Sequence, residues 1–181
     1  VYKRQMINTL QIGDYIFASK WSYGYSKHSL PFSLPLIPSR IFSKIPQRGD
    51  VVIFKLPTDN STDYVKRVIG LPGDSVQIID GRVSLNGKIL KYEEIGKNIN
   101  NKFINSKNRS IGCYNQDTTI LREFLPNGRS YEILDTYNNL PQDNTQIYRV
   151  PLNHYFVMGD NRDNSQDSRF IKKVGFIPHD N

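Results

Sequence analysis

Tyr64-Val65-Lys66-Arg67-Val68-Ile69-Gly70-Leu71-Pro72-Gly73-Asp74 is the stretch on which the fold turns. Its first six residues have the β-branched and aromatic density of a strand, and Leu71-Pro72-Gly73-Asp74 ends that strand with turn-favouring residues. Apolar runs follow at residues 75–79, 82–85 and 88–92, joined by Asp80-Gly81 and Asn86-Gly87. Both dipeptides tolerate the positive backbone angles of tight hairpins. The pattern is a β-meander, and the chain is expected to be mainly β.

Upstream of the meander, residues 12–17 and 51–54 read as strands, each opening at a Gly-Asp pair, Gly13-Asp14 and Gly49-Asp50. Residues 23–42 are rich in Tyr, Phe, Leu and Ile but are broken by Pro31, Pro35 and Pro38, too many prolines for a helix or a central strand. Two readings stay open there, a loop packed onto the core and an apolar surface that dips into a membrane interface. Downstream, residues 93–118 are polar, rich in Asn and Lys and without periodicity, which reads as an insertion and not as core. Order returns with a third hairpin, residues 119–125 and 130–134 around Asn127-Gly128. The closing segment, 147–178, holds a strand at 155–158 and then a dense polar turn. There is no internal repeat and no long amphipathic helix.

Composition narrows the function classes less than the pattern does. A chain of 181 residues suits one core, or a core with a smaller lobe. Its net charge of +7 favours anionic partners, either nucleic acid or lipid headgroups. Cys113 is the only cysteine, so no intrachain disulfide forms. No stretch approaches the roughly 18 apolar residues of a membrane span, and Val1 to Gln5 is too short and polar for a signal peptide.

Two clusters could carry chemistry. Strand alternation puts Lys66 on one face with Tyr64 and Val68, while Arg67 shares the other with Val65 and Ile69. A lysine inside an apolar strand either snorkels to solvent from an edge or is buried. If buried, its ammonium is disfavoured and a neutral amine becomes accessible near neutral pH, as a lysine general base requires. The second cluster is Gly159-Asp160-Asn161-Arg162-Asp163-Asn164-Ser165-Gln166-Asp167-Ser168-Arg169, whose acids, arginines and short polar side chains can satisfy one another in a buried turn. A calcium loop fails on spacing: with Asp160 first, Arg162 takes the third place, Ser165 the place of the turn glycine and Ile171 that of the closing glutamate. A solvated polar loop and a functional site both remain compatible with the composition.

These blocks resemble the bacterial type I signal peptidases, serine endopeptidases of family S26 that use a Ser-Lys dyad. The likeness runs through Gly13-Asp14-Tyr15-Ile16-Phe17, Ser22-Tyr23-Gly24, Arg48-Gly49-Asp50-Val51-Val52-Ile53-Phe54, residues 64–74 and residues 159–169, in the family's order. Glu123-Phe124-Leu125-Pro126-Asn127-Gly128 looks like the family's hairpin in an otherwise weakly covered insertion. The resemblance implies a signal-peptidase and repressor-protease-like β core from residues 6–78 and 147–178, a smaller inserted β-hairpin subdomain at 79–146, and a non-matching stub at 1–5. It implies Lys66 as general base, Ser165 as the hydroxyl that orients it, Asp167 and Arg169 as a supporting ion pair, and Arg67, Gly159 and Asp160 as residues that shape the site. Ile12 and Val65 are candidates for substrate binding.

The implied substrate is a preprotein whose signal peptide binds as an extended strand, with small residues at the first and third positions before the cut. The implied setting is the membrane surface on the extracytoplasmic side of the plasma membrane, with no cofactor, no metal and no nucleic-acid partner. A departure stands beside the likeness. The family's nucleophile box, Pro-Ser-x-Ser-Met-x-Pro-Thr-Leu, is met in its second half by Met6-Ile7-Asn8-Thr9-Leu10, with Asn8 for a proline. Gln5 then stands where the nucleophilic serine belongs, and Lys3 where the family often has a second serine. Glutamine cannot form an acyl-enzyme, so this chain is expected to be inactive as it stands. A truncated or artificial start is the expectation, against a natural inactive homologue that binds signal sequences. A basic β-domain that binds nucleic acid through Tyr23, Tyr25 and Phe32, and a self-cleaving repressor-like protease, are the other readings.

Overall fold

The computed structural model describes residues 3–6, 9–10, 15, 17, 19, 22–23, 44–59, 61–98 and 118–179, apart from the side chains of 3, 4, 97 and 98. The expected strand at 12–17, the 23–42 segment and Cys113 lie wholly or largely outside these residues. The described strands are β1 Val51–Lys55, β2 Asp63–Gly70, β3 Ser75–Ile79, β4 Arg82–Leu85, β5 Lys88–Ile89 and β6 Lys91–Asn98, followed by β7 Thr118–Phe124, β8 Ser130–Asp135, β9 Tyr148–Arg149, β10 His154–Met158 and β11 Ile177–Pro178. The chain is mainly β, and the strands form three sheets ordered β1-β2-β10-β11, β5-β4-β3-β9 and β6-β7-β8.

The two hairpin dipeptides behave as their chemistry dictates. Asp80 and Gly81 have φ of 47° and 74°, and Asn86 and Gly87 have φ of 52° and 80°, the left-handed pairs that match strand twist. The polar run after Tyr92 departs from expectation. The strand begun at Lys88 breaks at the buried Leu90, and β6 then runs on to Asn98, paired with β7 from Lys91↔Phe124 to Asn98↔Thr118. Its side chains are largely exposed, so a periodic apolar face is absent and the backbone ladder alone defines the strand.

Strand β2 is the centre of the molecule. It pairs antiparallel with β1 (Val52↔Lys66, Phe54↔Tyr64) and with β10 (Val157↔Val68, Met158↔Arg67), and both of its faces are covered. Phe54, Tyr64, Val68, Tyr155, Val157, Val174 and Ile177 form one apolar cluster. Ile69, Phe156 and Met158 belong to a second, larger cluster that also takes in Val76, Ile78 and Val83 of the second sheet and Leu121 and Ile133 of the third. The turn out of β2 is tight: a Cβ on Gly70 would come within 2.8 Å of Val76 Cγ2 and 2.9 Å of Phe156 Cβ. A strand buried on both faces is a costly place for a charge, and that sets the terms for Lys66.

Candidate active site

Lys66 sits in the middle of β2 and is 1% exposed, so the snorkelling alternative is excluded. Its amine lies 5.1 Å from the centroid of the Tyr64 ring. The Tyr64 hydroxyl in turn donates to Gln166 Oε1 at 2.9 Å, fixing that ring as one wall of the site. Burial pushes the Lys66 pKa down from 10.5 to about 8, with Arg169 adding to the fall and Asp167 and Asp160 opposing it. At pH 7 such an amine is neutral in about one molecule in ten, against about one in three thousand for an unperturbed lysine.

The partner of that amine is Gln5. The short 3-10 turn Lys3–Met6 lays residue 5 against β2, and Lys66 Nζ donates to the Gln5 side-chain carbonyl Oε1. Met6, wholly buried, pins the turn, and its carbonyl accepts from the amides of Thr9 and Leu10 at 3.0 and 2.8 Å. On the far side the Gln5 backbone carbonyl accepts from the Asn161 amide at 3.1 Å. The residue expected from the resemblance at the nucleophile's place thus stands within hydrogen-bonding reach of the expected base.

The polar turn is buried, not solvated. Asp160, Ser165, Asp167 and Arg169 are 1%, 6%, 0% and 7% exposed. Asp167 grips Arg169 with two bonds, Nε to Oδ1 at 2.8 Å and NH2 to Oδ2 at 2.9 Å, and accepts the Gly159 amide at 3.1 Å. Burial raises the Asp167 pKa, but the Arg169 guanidinium outweighs it and holds the carboxyl below 3.8. Arg67, on the opposite face of β2 from Lys66, makes the matching bidentate contact to Asp160, Nε to Oδ1 at 2.9 Å and NH2 to Oδ2 at 2.7 Å. Its NH1 donates to the Gly49 carbonyl at 2.8 Å. Thr9 closes this cluster by donating its hydroxyl to Asp160.

Gly159 is required by contact. A Cβ there would collide with Ser165 Oγ and lie 2.5 Å from the Gln5 carbonyl oxygen. Ser165 itself is brought to the site beside Gly159, but its buried hydroxyl has no hydrogen-bond partner among the described residues, and the Lys66 amine bonds Gln5. Val65 is 2% exposed, on the face of β2 away from Lys66, and Ile12 lies outside the described residues. Glu123 and Arg162 were assigned no role from sequence, yet both are buried and paired at 2.8 Å behind the polar turn. Arg162 belongs to the polar cluster already picked out, but nothing in the local pattern marks Glu123 as its partner; only the pairing across elements does. Among the described residues no cluster of His, Cys, Asp and Glu could hold a metal ion. A small apolar cavity of about 60 Å³ between Val52, Phe54, Val68 and Val157 is lined by neither Lys66 nor Gln5.

Lys66, its pKa lowered by burial, thus has the residue-5 side chain against its amine and the buried Asp167–Arg169 pair in the turn beside it. The chain is 41% identical over 181 residues to the signal peptidase I of Rickettsia conorii, a match that covers 96% of this chain and 63% of the relative. The signal peptidase I of Rickettsia prowazekii is 40% identical with the same coverage. This chain therefore spans 63% of the length of these curated relatives. A crystal structure of a signal peptidase I from Enterococcus faecalis shares 28% identity and a TM-score of 0.39 over 75% of this chain and 92% of that one. The family model described as "Signal peptidase, peptidase S26" matches residues 1–181, and the chain belongs to that family.

Proposed function

We propose that this chain carries the catalytic region of a signal peptidase I, a serine endopeptidase that removes signal peptides from exported preproteins at the extracytoplasmic face of the plasma membrane. In this reading Lys66 is the general base and position 5 is the place of the nucleophile. A serine there would lose its proton to the neutral Lys66 amine while its oxygen bonds the scissile carbonyl carbon; the lysine proton then passes to the leaving amine as the peptide bond breaks. Lys66 next takes a proton from water as the water oxygen bonds the ester carbon, and returns it to the serine oxygen as the ester C–O bond breaks and the new carboxylate leaves. Asp167 and Arg169 hold the turn that carries Ser165. With the longer Gln5 removed from the Lys66 amine, the Ser165 hydroxyl is the nearby group of the right chemistry to orient it.

The observation that carries the proposal is the contact between the buried Lys66 amine and the side chain at position 5. Gln5 supplies no nucleophile, so the chain as it stands is proposed to be inactive, and the signal peptide, bound as an extended strand, is its proposed partner. No helix among the described residues is long and apolar enough to cross a membrane. The test is Gln5→Ser, assayed for cleavage of a preprotein with small residues before the cut. Cleavage that Lys66→Ala abolishes supports the dyad; full cleavage surviving Lys66→Ala sinks it. Signal-peptide binding without cleavage by Gln5→Ser would support an inactive signal-sequence binder.

A further inference from the structure

We infer that Glu123 is a positioning residue, which holds the Gly159–Arg162 turn against Lys66 and position 5 from the third sheet, through Arg162. The inference rests on the proposed function for its catalytic meaning, but its structural part stands alone. Glu123 lies in β7 and is 0% exposed. It accepts hydrogen bonds from the Tyr92 hydroxyl at 2.6 Å and from the Tyr131 hydroxyl. Burial and the nearby carboxylate push both phenol pKa values upward, so both tyrosines stay protonated donors.

The third neighbour of this carboxylate is Arg162, 4% exposed, whose NH2 stands 2.8 Å from Glu123 Oε2. Neither terminal nitrogen of Arg162 is placed for a hydrogen bond among the described residues, so charge attraction is what Glu123 supplies to it. The rest of Arg162 is built into the site: its Nε donates to the Gly159 carbonyl at 3.2 Å, and its own carbonyl accepts from Arg169 NH2. The same turn is tied to the third sheet at two further points. The Leu134 amide donates to the Asp160 carbonyl at 2.9 Å, and the Tyr131 ring lies 4.0 Å from the Arg67 guanidinium that grips Asp160.

A buried carboxylate–guanidinium pair is a poor way to gain stability, since apolar residues of similar volume often do as well or better. Its distinctive use is to fix one geometry, and here the geometry is that of Gly159, whose amide meets Asp167 and whose missing Cβ leaves room for residue 5 and Ser165. The third sheet therefore reaches the candidate chemistry through Arg162 and the Asp160 carbonyl.

The test compares Glu123→Gln with a Glu123→Gln, Arg162→Met double variant, each in the chain as it stands and in the Gln5→Ser background. Hydrogen exchange is read at the Gly159 and Leu134 amides, with Leu90, whose amide bonds Val83 in the second sheet, as reference. Glu123→Gln is expected to lose protection about tenfold at Gly159 and Leu134 while Leu90 is unchanged. In the Gln5→Ser background its kcat is expected to fall about 100-fold with KM little changed. The double variant, which removes both charges, is expected to regain thermal stability but not kcat, because the link to Gly159 stays cut. Unchanged exchange at Gly159 and Leu134, or kcat returning together with Tm in the double variant, overturns the inference. If Gln5→Ser itself is inert with Glu123 intact, the signal-peptidase reading falls and the exchange data alone decide the positioning claim. Should Glu123→Gln fail to fold, the double variant carries the same comparison.

Discussion

Replacing Lys66 with methionine is expected to make the chain more stable at pH 7 and to do so in a pH-dependent way. Methionine matches the length and apolar stem of lysine without its charge, and Gln5, which is only half buried, can turn its freed carbonyl to water. The magnitude follows from linkage. Lys66 has a pKa of about 8 in the fold and 10.5 as the ordinary value, so between these limits the unfolded chain binds more protons and stability rises with pH. Below pH 8 both states carry the proton, and the buried ammonium costs the native state about 3 kcal/mol. Above pH 10.5 both are neutral and the penalty is gone. Urea unfolding of the parent and of Lys66→Met at pH 7 and pH 10.5 measures the difference. Lys66→Met should gain up to about 3 kcal/mol at pH 7, and the advantage should shrink toward zero at the higher pH. A variant less stable than the parent at pH 7, or a gap independent of pH, would refute the reasoning that Lys66 is a burdened residue retained for chemistry.

Two further substitutions probe the turn behind Lys66. Gly159→Ala places a Cβ against Ser165 Oγ and 2.5 Å from the Gln5 carbonyl, so it should lower stability by about 1–3 kcal/mol in a thermal melt and push residue 5 off Lys66. Asp167→Asn leaves the buried Arg169 unpaired and should cost about 3–5 kcal/mol at neutral pH. Because the folded Asp167 pKa lies below 3.8, its stabilisation is present above that value and disappears as the pH falls through the folded pKa; the Asn variant should lack this part of the acid-unfolding limb.

Much of this fold is written in local chemistry. Asp80-Gly81 and Asn86-Gly87 specify their hairpins because few other dipeptides accept two positive φ values, and residues 64–69 specify β2 because β-branched density leaves few alternatives. Strand β6 is not legible past Tyr92, since a strand whose side chains face water carries no alternation and is defined by its pairing with β7, which lies across residues 99–117 in sequence. The same division runs through the candidate site. Lys66 is conspicuous as a lysine in an apolar strand, yet its burial depends on β10, the Lys3–Met6 turn and the polar turn closing over it. Glu123 lies in an expected hairpin strand and Arg162 in the polar cluster, but that the two pair with each other depends on the sheet arrangement. Ser165 stands out by resemblance, whereas the partner of the Lys66 amine, Gln5, depends on where the Lys3–Met6 turn is laid against β2.

The pH dependence of cleavage by the Gln5→Ser chain tests the central claim most directly, because kcat/KM reports the ionisation of the free base. If Lys66 must be neutral to accept the serine proton, kcat/KM should rise about tenfold per pH unit up to about pH 8 and then level off, and Lys66→Met should leave only background cleavage at every pH. A rate flat from pH 6 to pH 9, or one that persists in Lys66→Met, would contradict it.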